Sequence, residues 1–143
     1  MKFQFSFQKV LDFKEKEKEI AEQEYGTIKL QQLELEEQLE DLETEKDQAF
    51  NLYDDVHKKS IMEIVVAQNN IEYVNRQIKQ LESKSQLIHQ EAEQKYQVLI
   101  EKTQESKMWN KWKDKSKEIF QKELLQKEQA MLDEMAVLRY TRK

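Results

Sequence analysis

A chain of 143 residues with no proline and a single glycine, Gly26, has little to turn with. Chain reversals draw on Gly, Pro, Asn and Asp, and a globular fold of this length needs several of them. The abundant residues here are Glu, Lys, Gln and Leu, all strong helix formers, and their heptad-like recurrence reads as long helix or coiled coil. With 24 basic and 29 acidic side chains the composition approaches that of a disordered chain. A net charge of only −5, with Ile, Leu and Val at regular intervals, argues instead for folding.

The periodicity has two registers. Every seventh residue from Phe7 gives Phe7, Lys14, Ala21, Ile28, Leu35, Leu42, Ala49 and Val56, with only Lys14 polar. A companion row of Leu11, Lys18, Tyr25, Gln32, Leu39, Lys46 and Tyr53 completes a diluted coiled-coil seam. The main row then fails at Glu63 and Asn70, and a second seam begins one residue out of step: Ile64, Ala67, Ile71, Val74, Ile78, Leu81, Ser85, Ile88, Ala92, Lys95. One extra residue rotates a helix face by about 100°, so one continuous helix cannot keep both stripes on the same side. The chain is therefore expected to reverse between them, at Asp54-Asp55-Val56-His57-Lys58-Lys59-Ser60.

Folding at residue 58 or 59 makes partner numbers sum to about 118 and predicts an all-α, antiparallel two-helix coiled-coil hairpin. The expected layout is a single rod over 1–143, with helix 1 at about 3–54, a turn at about 55–61 and helix 2 at about 62–140. Trp109 and Trp112 then meet the Phe3, Phe5, Phe7, Val10, Leu11 and Phe13 cluster, and the polar positions Lys95, Lys102 and Ser106 fall opposite Lys14 and Lys18. Pairing consumes helix 2 to about residue 117, although the apolar stripe continues through Phe120, Leu124, Met131, Met135 and Leu138. That overhang predicts a binding face or a dimer seam.

Charge is distributed unevenly: residues 1–18 carry +2, 19–106 carry −11 and 107–143 carry +4. No cysteine is present, so a reducing compartment is allowed. Asp12 interrupts the only stretch that could serve as a signal peptide, and the longest apolar run, Ile64 to Ala67, is far below the roughly 20 residues a membrane span needs. A soluble, cytoplasmic protein is expected.

Enzyme chemistry has no foothold in this pattern. His57 and His89 are the two histidines and lie far apart on the hairpin, which speaks against a zinc site. Carboxylate pairs such as Glu36-Glu37 sit on solvated helix faces without a dehydrated pocket to separate their pKa values. No phosphate-binding glycine loop, nucleophile turn or metalloprotease motif occurs. Lys107 to Lys117, with Trp109 and Trp112 among five lysines, has the residue types of a nucleic-acid or anionic-membrane site, but its spacing fits a core role better. No cofactor, metal, nucleic acid or small-molecule substrate is expected. The apolar concentration from Ile61 to Ala67, interrupted by Glu63, is either a docking patch or a locally thickened core.

Several segments together resemble a known family. Phe5-x-Phe7-x-x-Val10-Leu11-x-x-Lys14-Glu15, Glu-Glu-Gln-Leu at 36–39 and Asp133-Glu134-x-Ala136-x-x-Arg139 look like FliJ, the stalk proteins of the bacterial flagellar type III export apparatus. The resemblance covers essentially the whole length. It implies an antiparallel coiled coil similar to the γ stalk of rotary ATPases, a non-enzymatic role, and three partners: the hexameric export ATPase, the membrane-embedded export gate and the export chaperones. It also implies a place at the inner face of the cell membrane. Carried over, Phe7, Val10, Leu11, Lys14, Glu15, Asp133, Glu134, Ala136 and Arg139 serve the ATPase end, joined by Phe120, Leu124, Met131 and Leu138 of the overhang. Gln38 and Leu42 match gate-binding positions, while Glu45 stands where relatives can have an aromatic; Ile64, Val65 and Val74 are assigned to the gate with them. A holdase chaperone and a self-associating structural coiled coil are the alternative functions.

Overall fold

The computed structural model describes residues 2–54 and 60–142, and the side chains of all of these except 52–54. Two long helices account for nearly all of this: α1 spans Gln8–Asp54 and α2 spans Ile61–Thr141. They pack against each other as a hairpin in which the second helix is the longer. The reversal expected at 55–61 falls largely on 55–59, including Val56 and His57, outside the described residues.

Local chemistry sets both helix starts. The carbonyls of Phe5 and Phe7 accept from the backbone N–H groups of Gln8 at 3.1 Å and Leu11 at 3.0 Å, which opens α1 at Gln8 and not at residue 3. Ser60 caps α2, its Oγ accepting from Glu63 N at 3.4 Å and its carbonyl from Ile64 N at 3.2 Å. Ser60-x-x-Glu63 is the spacing of a capping box, and Glu63 adds a negative charge where the helix dipole is positive.

The chain forms two compact units, Met1–Ile20 with Ile100–Lys143, and Ala21–Leu99. In the first, Phe5 and Leu11 are buried, Leu11 almost completely at 1% exposure. In the second, Ala21, Ile28 and Leu35 of α1 are buried with Val74, Ile78 and Ala92 of α2. Polar seam members are drawn in as well: Lys18, Gln32, Lys46, Ser85 and Lys95 are all half-buried, as helical spacing dictates. Long side chains manage this by packing their methylenes against the seam while the polar head reaches the rim.

Register follows from pairs within each unit. Lys14 with Glu105, Glu17 with Lys102, and Glu24 with Lys95 have numbers that sum to 119, one more than the sequence predicts. Phe3 departs from this rule by packing on Phe120, ring centroids 5.6 Å apart. Residues 2–5 are not helical. An extended chain advances about 3.3 Å per residue against 1.5 Å in a helix, so Phe3 reaches further along α2 than a helical residue would.

Gly26 sits inside α1 with no positive φ, and a Cβ built on it meets nothing within 4 Å. Gly26→Ala should therefore raise the unfolding free energy by up to about 1 kcal/mol, because the helix gains propensity and the unfolded chain loses freedom. A higher midpoint in thermal or urea unfolding checks this; a lower one would mean that the position carries a constraint absent from its surroundings.

Candidate functional site

In the unit that joins the first twenty residues to the second half of α2, the chemistry-bearing side chains fall into three successive zones along α2. The first is a charged layer. Lys14 Nζ lies 3.0 Å from Glu105 Oε2, and Lys102 Nζ lies 2.9 Å from Glu17 Oε2. Two longer contacts of 3.8 Å, Lys14 to Glu17 and Lys102 to Glu105, close the four groups into a ring. Glu17 Oε2 is shielded from water without a well-directed hydrogen bond, so its charge is balanced by the two ammonium groups. Ser106 is buried beside this layer, and Asn110 Nδ2 donates to its carbonyl at 2.9 Å and towards Glu15 at 3.4 Å. Glu17 holds Lys102 above its ordinary value, with Glu105 adding to the effect against desolvation. Lys14, helped by Lys102, holds Glu105 below the usual carboxylate value, again against desolvation.

The second zone is aromatic. Phe7 stacks on Trp112 at 4.9 Å and lies 6.0 Å from Trp109, Phe5 meets Trp112 edge-on at 6.1 Å, and the two indoles are 5.0 Å apart. The phenylalanine-to-tryptophan meeting expected from the folding rule is thus present. Phe7 and Trp112 nevertheless remain 41% and 46% exposed, so the cluster is a wall with one open side.

The third zone is the end of α2. Phe120 is half-buried against Phe3, and Leu124 is half-buried as well, so these two belong to the helix pair and not to the overhang assigned to them from sequence. From 125 to 142 every residue is exposed. Leu125, Met131, Leu132, Met135 and Leu138 are between 57% and 64% exposed. Met131 and Leu138 are seven residues apart, as are Leu125 and Leu132, and Met135 follows Met131 by four, which keeps all five on one side of the helix. Asp133 and Glu134 line an open groove with Val137 and Leu138, and Ala136 and Arg139 are exposed on the same segment.

The positions assigned to partners are therefore not equivalent. Leu11 is inside the helix pair and offers no surface; it can influence a partner only by holding α1 against α2. Lys14 is committed to Glu105, whereas Val10, Phe7 and Glu15 are exposed. In the other unit, Gln38 and Leu42 line an open groove of about 510 Å³ with Gln77, Leu81 and Lys84. Val74 is buried in that unit's core and is not available as a contact, because the second seam runs through it. Ile64 is half-buried, while Ile61, Met62, Val65 and Val66 stay exposed, as a surface patch and not a thickened core. His89 is solvated, with Nδ1 3.1 Å from Gln32 Nε2.

Sequence reasoning locates the lysines of the charged layer but not the carboxylates that compensate them. Glu17, Glu24 and Glu105 flank the seam, and applying the folding rule to charges as well as to apolar residues finds all three.

A model of the family described as Flagellar FliJ protein matches residues 3–143. Neither the curated proteins nor the solved structures give a match. Among the described residues no helix is long and apolar enough to cross a membrane.

The charged layer has a pH signature. Glu105 is depressed, so its contribution to stability is complete above 4.5 and is lost as pH falls through its lowered pKa; Lys102 is raised, so its contribution is complete below 10.5 and is lost as pH rises through its raised pKa. Glu105→Gln should lower the thermal midpoint at neutral pH and shrink the drop on acidification below the carboxylate range. An unchanged acid limb would show that the ring contributes nothing to folding.

Proposed function

The chain belongs to the FliJ family, and from that premise we propose that it is a stalk that couples the hexameric export ATPase to the rest of the flagellar export apparatus. Family membership makes it a non-enzymatic component of that apparatus; which surfaces meet which partner is the reading offered here. The observation that carries it is the continuous apolar stripe of residues 125–142, exposed on a helix that is held firmly up to Leu124.

A hexamer encloses a central hole, and a single helix projecting from an anchored pair is the shape that can enter one. Five side chains on the stripe, buried at about 1.5–3 kcal/mol each, supply roughly 7.5–15 kcal/mol, the same order as an association cost of roughly 4–15 kcal/mol. Lys127, Arg139 and Arg142 steer the approach and make its rate depend on salt. Phe7, Val10 and Glu15 are exposed in the same unit and add to the ATPase-facing surface. The groove at Gln38 and Leu42, together with Val65 on its own unit's surface, is the proposed contact with the export gate or with export chaperones. The working location is then the cytoplasmic side of the cell membrane, reached through the apparatus.

The same stripe has the spacing of a coiled-coil seam, so pairing with a second copy is the reading to exclude. A chain ending at Leu124 keeps the Phe3 to Phe120 contact and should retain its helical content per residue, yet lose binding to the purified ATPase. Met131→Asp with Leu138→Asp should weaken that binding at least tenfold in the full chain. ATPase binding that survives both changes contradicts the proposal, and a stable dimer of the full chain by sedimentation that dissociates on the same truncation favours the self-pairing role.

A further inference from the structure

One side of α2 between Met108 and Lys122 meets the helix pair through Trp112 and is otherwise left open, apart from the exposed stripe further on. Met108, Lys111, Trp112, Lys115, Ile119 and Lys122 are spaced by three, four, seven and eleven residues, which sets them on one flank of the helix. All six are exposed, Met108 at 61% and Ile119 at 58%. Three apolar side chains thus alternate with three ammonium groups along about four turns. Acids stand at its margins: Asp114 and Glu118 lie on the Lys111 side and Glu123 on the Trp112 side, while Glu105 is bound to Lys14, so the flank itself carries three ammonium groups and no carboxylate.

We infer that this flank is a docking surface for an anionic lipid bilayer. Trp112 is braced from behind by Phe7 at 4.9 Å and Trp109 at 5.0 Å, so its ring is presented without further ordering. An indole with a lysine on either side is the pattern that settles at headgroup level, the ring among the upper acyl carbons and the ammonium groups on the phosphates. Met108 and Ile119 decide between anionic partners. Aliphatic side chains offer no stacking to a nucleobase and no hydrogen bond to an acidic peptide, but they add buried area at a bilayer. The flank is convex, which suits a broad soft surface better than a threaded chain. No helix of the described residues can span a membrane, so contact is along the surface.

The chain has two tryptophans, Trp112 on the flank and Trp109 packed against it, so tryptophan emission reads this region alone. The full chain is titrated with vesicles of equal parts phosphatidylglycerol and phosphatidylcholine, and with phosphatidylcholine alone. The mixed vesicles should shift the emission to the blue and co-sediment with the protein; neutral vesicles should do neither. Lys111→Gln, Lys115→Gln and Lys122→Gln combined should weaken binding about a hundredfold, and Met108→Ser with Ile119→Ser should weaken it without changing helical content. A chain ending at Leu124 should bind vesicles like the full chain, so failure of the ATPase proposal and failure of this one read out separately. The inference is overturned if mixed vesicles produce no shift, if neutral vesicles produce the same shift, or if polyglutamate or single-stranded DNA shifts the emission where vesicles do not.

Discussion

Neither helix of this protein can bury its apolar stripe alone, and each stripe is narrow. Ala21, Ile28 and Leu35 on one side and Val74, Ile78 and Ala92 on the other are a seam one to two residues wide. A stripe of that width is satisfied by one partner helix and leaves nothing for a third layer. Much else follows from this pairing: the charged faces stay in water, the grooves at Gln38 and at Asp133 are open, and apolar residues outside the seam such as Leu30 and Leu33 are left on the surface. Those surfaces, more than any cavity, are what the molecule offers to others.

The seam is also imperfect, and its imperfections are placed. Four charged groups, Lys14, Glu17, Lys102 and Glu105, stand where an aliphatic layer would otherwise continue. Partly exposed ion pairs contribute little to stability by themselves. Their value lies in register: a shift of α1 along α2 by a few residues sets lysine against lysine, whereas aliphatic layers slide with less penalty. The ring thereby fixes where the aromatic wall stands, and so where the end of α2 leaves its partner. Phe3 meets α2 at Phe120, and the stripe from Leu125 to Leu138 lies exposed further along the same helix.

Much of this is legible in the sequence because coiled coils are one-dimensional. A shift of register by one residue requires a reversal, and the folding rule drawn from it points to the aromatic meeting and comes within one residue of the ion-pair register. What escapes such a reading involves departures from helical geometry or from the apolar alphabet. Residues 2–5 are not helical, so they carry Phe3 to Phe120 and shorten the free segment. Leu11 and Val74 read equally well as surface or core in a family motif, and only their place in the seam decides for burial. The flank at Met108, Trp112 and Ile119 is hidden from a reading that takes Trp109 and Trp112 as a pair, although Trp109 is half-buried and Trp112 keeps 46% of its surface exposed. The Ser60 cap of α2 is overshadowed in the sequence by the turn beside it.

The pairing within one chain is the claim on which the account rests, and a distance between spin labels at Glu24 and Lys95 tests it most directly. The chain has no native cysteine, so labels go only where cysteines are introduced. The two side chains meet at 3.0 Å in the structure, and labels there should lie roughly 10–20 Å apart, unchanged when labelled chains are diluted with unlabelled ones. A distance near 105 Å, as an unbroken helix of about 71 steps would give, or a short distance that vanishes on dilution, would contradict the hairpin.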